Sequence, residues 1–296
     1  MFYVKKVYAH RKSVNITDSF DAVSELVSQR LLNKLHGSLI MGQYGDEFKA
    51  VTNQQLVDAY ISEKAILGVS VSKFFGIDAG VLKSIDYDMQ EIEVPYGVYK
   101  IETSFPRGCT KVVLPTTLKR IGSRVFFSCS DLQEVVIPCS VKTIASQAFF
   151  ATGLVSVVVP DSVHNIGDNC FACCAYLKKA VLSKNLTVLG SNCFSSCYSL
   201  EQIDIPEGVQ GVGSGAFNNC GELKEVVFPS TCRTIGRFAF AHCASLRRVT
   251  ILVKDSIYIA EEVFVDMDKD KLVLVGYKGS DVEEYAYKHG IKFEVV

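Results

Sequence analysis

Between Val112 and Leu252 one pattern of about 23 residues is written six times, and a chain that repeats itself at that period has few folds open to it. Its fixed points are Phe126, Phe149, Phe171, Phe194, Phe217 and Phe240, spaced 23, 22, 23, 23 and 23. Three residues after each come Cys129, Thr152, Cys174, Cys197, Cys220 and Cys243, and then Leu132, Leu154, Leu177, Leu200, Leu223 and Leu246. An alternating run follows, such as Val135-Val136-Ile137, closed by Pro138. A single 23-residue coil cannot bury its own apolar face, so successive coils must stack and share one core.

Each slot has a physical reading. Alternation around Val135 and Ile137 predicts a short strand with one buried face. The proline closes it because it cannot donate to a ladder. Gly122, Gly167, Gly190, Gly213 and Gly236 are expected at a corner that needs positive φ. Ala148, Cys170, Cys193, Ala216 and Ala239, one residue before each phenylalanine, suit an inward turn against the neighbouring coil.

This lettering resembles the BspA-like leucine-rich repeat family, and Ile205-Pro206 through Gly213, Ala216-Phe217, Cys220 and Leu223 carry the likeness almost letter for letter. Ser183 for proline, Ala145 for glycine, Thr152 for cysteine and one residue missing before Leu154 are read as tolerated departures. The resemblance implies a curved, non-catalytic recognition solenoid of bacterial type. The fold class expected is α+β: a leucine-rich-repeat β-solenoid of about six to seven coils over residues 91–296, behind a small α/β or helical domain over 1–90.

Ile92-Glu93-Val94-Pro95 opens a shortened first coil, and the boundary is placed near Asp86–Glu91. Before it, Phe2–Tyr8 reads as a strand and Asp18 or Ser19 as the cap of a helix ending at Gly37. Leu39–Met41 and Phe48–Val51 read as short strands, and a second helix begins near Asn53. Ser72 to Ile85 resembles a helix-turn-helix around Gly76. Its chemistry does not suit DNA, since residues 1–90 hold ten Lys/Arg and ten Asp/Glu where DNA readers carry a basic face. At the other end, Phe264 stands one residue late for a further coil. The cap, about 265–296, is a strand and turn over Leu272–Ser280, a helix Asp281–His289 capped by Ser280 and ended by Gly290, and a last strand Ile291–Val296.

A net charge of −1 argues against broad capture of nucleic acid, and the chain holds no run of 18 apolar residues to span a bilayer. Residues 1–7 lack the apolar core of a leader, so a cytoplasmic protein is expected. A bacterial surface adhesin with its leader removed is the alternative, and only then would Asn15 and Asn185 be glycosylation sites. Of eleven cysteines, eight fall in core slots, so they are read as reduced thiols, with Cys109, Cys139 and Cys173 expected nearer the surface.

No catalytic, metal or cofactor site is expected. Cys170-x-x-Cys173 lacks a second ligand pair, Gly211–Gly215 lacks the lysine and helix of a phosphate loop, and the five histidines have no partners in motif. What remains is surface. The strand face presents Val136, Val158, Val181 and Val227 in one column, interrupted by Asp204, beside Lys178, Lys179, Lys224, Arg247 and Arg248. A β-branched stripe beside cations is the candidate partner-binding strip. The function expected is a non-enzymatic protein-interaction module, a cytoplasmic scaffold or an inhibitor of phage or mobile-element type. The alternatives are the adhesin, and an N-terminal effector or DNA-contacting domain.

Overall fold

The computed structural model describes Asp58, Tyr60, and residues 75–86 and 89–296. The strands and helices expected before residue 57 lie outside these.

Phe75–Asp78 (β1) and Val81–Ile85 (β2) form an antiparallel hairpin, not a helix-turn-helix. Ala79 and Gly80 at its tip both have positive φ (49° and 78°), the requirement of a two-residue turn matched to strand twist. That removes the recognition helix on which DNA contact depended. The hairpin then joins the solenoid directly, since β2 pairs in parallel with Lys100–Ile101 (β4). The ladder therefore runs through the boundary expected near Asp86–Glu91.

From here the chain winds in parallel coils, about nine turns in all. Strand face and back alternate. On the strand face Glu91–Glu93 (β3) pairs with Lys111–Val113 (β5). Ser156–Val158 (β8) opens a seven-stranded sheet through Lys179–Val181 (β10), Gln202–Asp204 (β12), Glu225–Phe228 (β14), Arg248–Ile251 (β16), Val273–Gly276 (β18) and Lys292–Val295 (β19). On the back β4 continues through Arg120–Ile121 (β6), Thr143–Ile144 (β7) and Asn165–Ile166 (β9). A separate back sheet holds Val188–Leu189 (β11), Gly211–Val212 (β13), Thr234–Ile235 (β15) and Tyr258–Ile259 (β17).

The continuous element is the phenylalanine corner. The N–H groups of Phe105, Phe126, Phe149, Phe171, Phe194, Phe217 and Phe240 each donate to a carbonyl of the following coil at 2.6–3.0 Å. Their rings, with Phe264 added, stack in one buried file at centroid spacings of 4.7–5.8 Å. Phe105 and Phe264 thus extend the array beyond the six clear copies. The corner turns through two left-handed residues per coil. They stand two before and two after the phenylalanine, as at Gln147 and Ala151 (φ 59° and 53°) or Asn192 and Ser196 (54° and 59°).

The repeat glycines are not those positions, which corrects the expectation of positive φ. They are selected by close approach: a Cβ on Gly122 would lie 2.3 Å from the Ile101 carbonyl, and one on Gly213 2.6 Å from the Ser191 nitrogen.

The cysteines form an interior ladder. Cys174, Cys197, Cys220 and Cys243 donate Sγ–H to the carbonyls of Phe149, Phe171, Phe194 and Phe217 at 3.1–3.2 Å. Thr152 Oγ1 instead donates within its own coil, to the same Phe149 carbonyl that Cys174 uses. All eleven thiols are free; Cys139 and Cys173 are exposed. Cys109 is buried, against expectation, because it belongs to the Phe105 coil and its thiol turns inward to the Lys111 carbonyl. Burial pushes the thiols of Cys129, Cys193 and Cys243 up to about 12.

Ser183 is more than a tolerated departure. Ser140 and Ser162, two residues after the proline slot, donate to the Leu118 and Val141 carbonyls of the preceding coil at 2.7 and 2.6 Å. In the next coil that slot is Asn185, and Ser183, in the proline slot itself, donates to Val163 at 2.6 Å instead.

Val135-Val136-Ile137 is not a strand, contrary to its alternation. One ladder bond, Val155 N–H to the Gln133 carbonyl, crosses there, and Val135 is only half-buried. The deletion falls in the adjoining corner, where Gly153 N–H is drawn to the Cys129 carbonyl and shifts the register beside it.

The cap matches expectation. Helix α1 (Asp281–His289) starts at Ser280, whose side chain accepts from Glu283 N–H, and ends at Gly290 with φ 66°. Tyr285 covers the end of the phenylalanine file. Among the described residues, no helix is long and apolar enough to cross a membrane.

Candidate functional site

In parallel strands of equal register, the same side of each coil presents the same slot. Val158 sits opposite Val181, and Asp204 sits opposite Val227, so these residues form one outward column on β8, β10, β12 and β14. All three valines are exposed, although the residues beside them on each strand are buried. Val136 heads the column at 82% exposed, carried outward by the break in the ladder. From Val136 to Val227 is four coil steps, about 19 Å. Beyond Val227 the column closes: Thr250 is partly covered and Val275 is 4% exposed.

The cations divide into two groups. Arg248 reaches across β18 to Glu294 at 2.9 Å, and hydrogen bonds from Lys292 and then Arg248 hold the Glu294 carboxyl below its usual range. Arg247 folds its guanidinium onto the Ala244 and Leu246 carbonyls of its own turn. Lys178, Lys179 and Lys224 are exposed, and among the described residues none makes an ion pair. The arrangement therefore brings Lys178 and Lys179 beside the valines and keeps the two arginines for the solenoid itself.

Sequence reasoning passed over two aromatic residues. Tyr176 and Tyr198 are exposed at the entrance to β10 and β12, and Tyr198 Oη accepts from Asn219 Nδ2 at 3.5 Å. The signal was present, because the two positions between the repeat cysteine and leucine, the second filled by Tyr176 and the first by Tyr198, hold small or acidic residues in the other copies. Exposed tyrosine supplies apolar area with a polar tip, the chemistry enriched in protein interfaces.

The other motifs dissolve into the fold. Cys170 points into the core, and Cys173 lies at a left-handed outer corner, so the pair cannot share a ligand. Among the described residues, no group of His, Cys, Asp or Glu is placed to hold a metal ion. Gly211 belongs to β13, and Gly213 is packed against the coil below. The strip presents aliphatic, tyrosine and lysine side chains to solvent, an arrangement suited to binding.

The family model described as the BspA type leucine rich repeat region matches in six copies, over residues 85–201 and 188–291. Among solved structures, a leucine-rich repeat protein from Bacteroides ovatus aligns with a TM-score of 0.56 at 20% identity, covering 70% of this chain. This chain spans 61% of that protein's length. A leucine rich cell surface protein from Faecalibacterium prausnitzii aligns at 0.40 with 23% identity, over 56% of this chain and 60% of that one. The Treponema pallidum leucine rich repeat protein aligns at 0.39 with 20% identity, over 75% and 96%. No curated protein matches the chain.

Proposed function

The chain belongs to the BspA-type leucine-rich repeat family, and from that premise we propose that it is a non-enzymatic module that recognises a protein partner through its strand face. Repeat proteins of this kind suggest protein interaction as the general role. The observation that carries the finer reading is the outward column Val136, Val158, Val181, Asp204 and Val227, its last four members in register on one parallel ladder, flanked by Lys178, Lys179, Tyr176 and Tyr198. Exposed apolar area of this sort, here Val136, Val158 and Val181 in three successive coils, often marks partner sites. Binding is by burial of many small contacts with no covalent step. Nine buried thiols stacked coil on coil support a reducing compartment, where such a protein would act as a scaffold or inhibitor.

The double variant Val158→Asp/Val181→Asp tests this. Both side chains face water, so the variant folds. A buried interface containing two unpaired carboxylates loses affinity by at least about 100-fold. A folded variant that retains the wild-type partner in co-purification removes the strip from the function.

A further inference from the structure

The valine column is one side chain wide. Two residues earlier on the same strands stand Ser156, Lys179, Gln202 and Glu225, all polar and exposed. Val158, Val181, Asp204 and Val227 follow one another in register. At about 4.8 Å per coil they lie at about 0, 4.8, 9.6 and 14.4 Å along the column. A sheet packed face to face matches that step, but it needs an apolar width that the polar row denies it. An extended segment along the column has same-face side chains about 6.7 Å apart, and by the fourth it is about 6 Å out of step. An α-helix places residues i, i+4, i+7 and i+11 on one face at about 0, 6.0, 10.5 and 16.5 Å, within about 2 Å of every member. The helix fits both the width and the step.

Asp204 supplies the chemistry. It interrupts the aliphatic run between Val181 and Val227 and is exposed. Among the described residues it makes no ion pair or side-chain hydrogen bond, and neither do Glu201 and Glu225 on the same two coils. Elsewhere acids do pair across coils, as Glu262 with Arg237 and Glu294 with Arg248. A carboxylate covered by apolar surface is costly unless a cation meets it. A partner that buries the valines on both sides of Asp204 must therefore bring that cation itself.

We propose that the partner segment is an amphipathic helix laid along the column, across the strands, with aliphatic side chains over Val158, Val181 and Val227 and an arginine or lysine over Asp204. One further turn reaches Val136. Anchors at this helical spacing are how an apolar stripe captures a helix, and the cation sets the register in which it lies. The inference rests on the strand face being the binding surface.

The probes are synthetic peptides of about 16 residues, held helical by side-chain lactams on the outer face and read by fluorescence anisotropy against the full chain. One pair carries leucine at positions 2, 6 and 13 with arginine or glutamate at position 9. A second pair exchanges positions 6 and 9, for a helix running the other way. In one of the two pairs the wild type should bind the arginine peptide at least about tenfold tighter than the glutamate peptide. Asp204→Arg, whose side chain faces water, should reverse that preference. The helix is overturned if neither pair binds below about 1 mM, if neither discriminates, if the preference survives Asp204→Arg, or if an unlactamised peptide of alternating leucines binds as tightly. Should that happen while the co-purifying partner is still lost on Val158→Asp/Val181→Asp, the strip stands and only the helix falls. A partner indifferent to Val158→Asp/Val181→Asp defeats the strip itself.

Discussion

Replacing Ser183 by proline, the residue that six other coils carry in that slot, should destabilise the protein. Consensus reasoning predicts the opposite. Proline at a compatible position stabilises by about 0.4–1 kcal/mol through the unfolded chain. The structure sets a larger loss against that gain. Ser183 Oγ donates to the Val163 carbonyl at 2.6 Å in a coil where the usual donor slot is Asn185, so Ser183→Pro leaves a buried acceptor bare. That costs about 1–3 kcal/mol, for a net loss of about 1–2 kcal/mol. For an array of this size the melting temperature falls by about 3–6 °C. Asn185→Ser puts a hydroxyl where Ser140 and Ser162 have theirs, at the loss of an exposed bond from Asn185 Nδ2 to the Asp161 carbonyl. The double variant Ser183→Pro/Asn185→Ser should therefore return to within about 1 kcal/mol of wild type. Urea unfolding of the four proteins measures this, read as midpoints at constant slope. A Ser183→Pro protein at least as stable as wild type refutes the reasoning, as does a double variant no better than the single one.

Ala151→Gly should stabilise by about 0.5–1 kcal/mol, because alanine there holds φ at 53° and glycine relieves more strain than it adds in chain entropy. Ala148→Gly, three residues away at a buried inward slot, is the contrasting control, and a stability ranking of the two by urea midpoint in the reverse order would contradict the corner geometry. Alkaline pH should unfold the protein sharply. Cys129, Cys193 and Cys243 are pushed up to about 12, and Cys109 and Cys174 to about 11, from an ordinary value of 9.0. Above that ordinary value the unfolded chain gives up thiol protons that the folded chain keeps, so stability is full below about pH 9 and falls as pH rises. Five such thiols remove on the order of 5–7 kcal/mol by about pH 10. Urea midpoints level between about pH 8 and pH 10 would sink that account.

The parts of this fold legible beforehand are those where side-chain volume must repeat. Phe171, Phe194 and Phe217 can stack only if every coil places the same ring at the same height, so period and core were readable together. The same holds for the cap, where Ser280 and Gly290 act within a few residues of themselves. Backbone requirements were harder. Glycine serves both positive φ and close approach, and the letters do not separate them; the left-handed corners carry Arg124, Gln147, Asn192, Phe238 and His242, residues with nothing in common but place. Ser72 to Ile85 misled because its apolar spacing suits a helix, while the deciding signal was the two-residue turn at Ala79-Gly80. The break at Val135–Ile137 was hidden because those three letters are ideal for a strand and its cause lies a coil away, at Gly153. Of the site, the valine column was visible as soon as the period was known. Whether a cation was free could not be: Arg248 is committed to Glu294, 46 positions away, a distance only the stacking of coils can close.

The most direct measurement is hydroxyl-radical footprinting of the full chain, alone and with the partner that co-purifies with the wild type. Protection on binding should centre on Val136, Val158, Val181, Tyr176 and Tyr198, with no change at Tyr258 on the back or Tyr287 on the cap. Protection of the back or the cap, with the valine column oxidised as readily in the complex as in the free protein, would contradict the account.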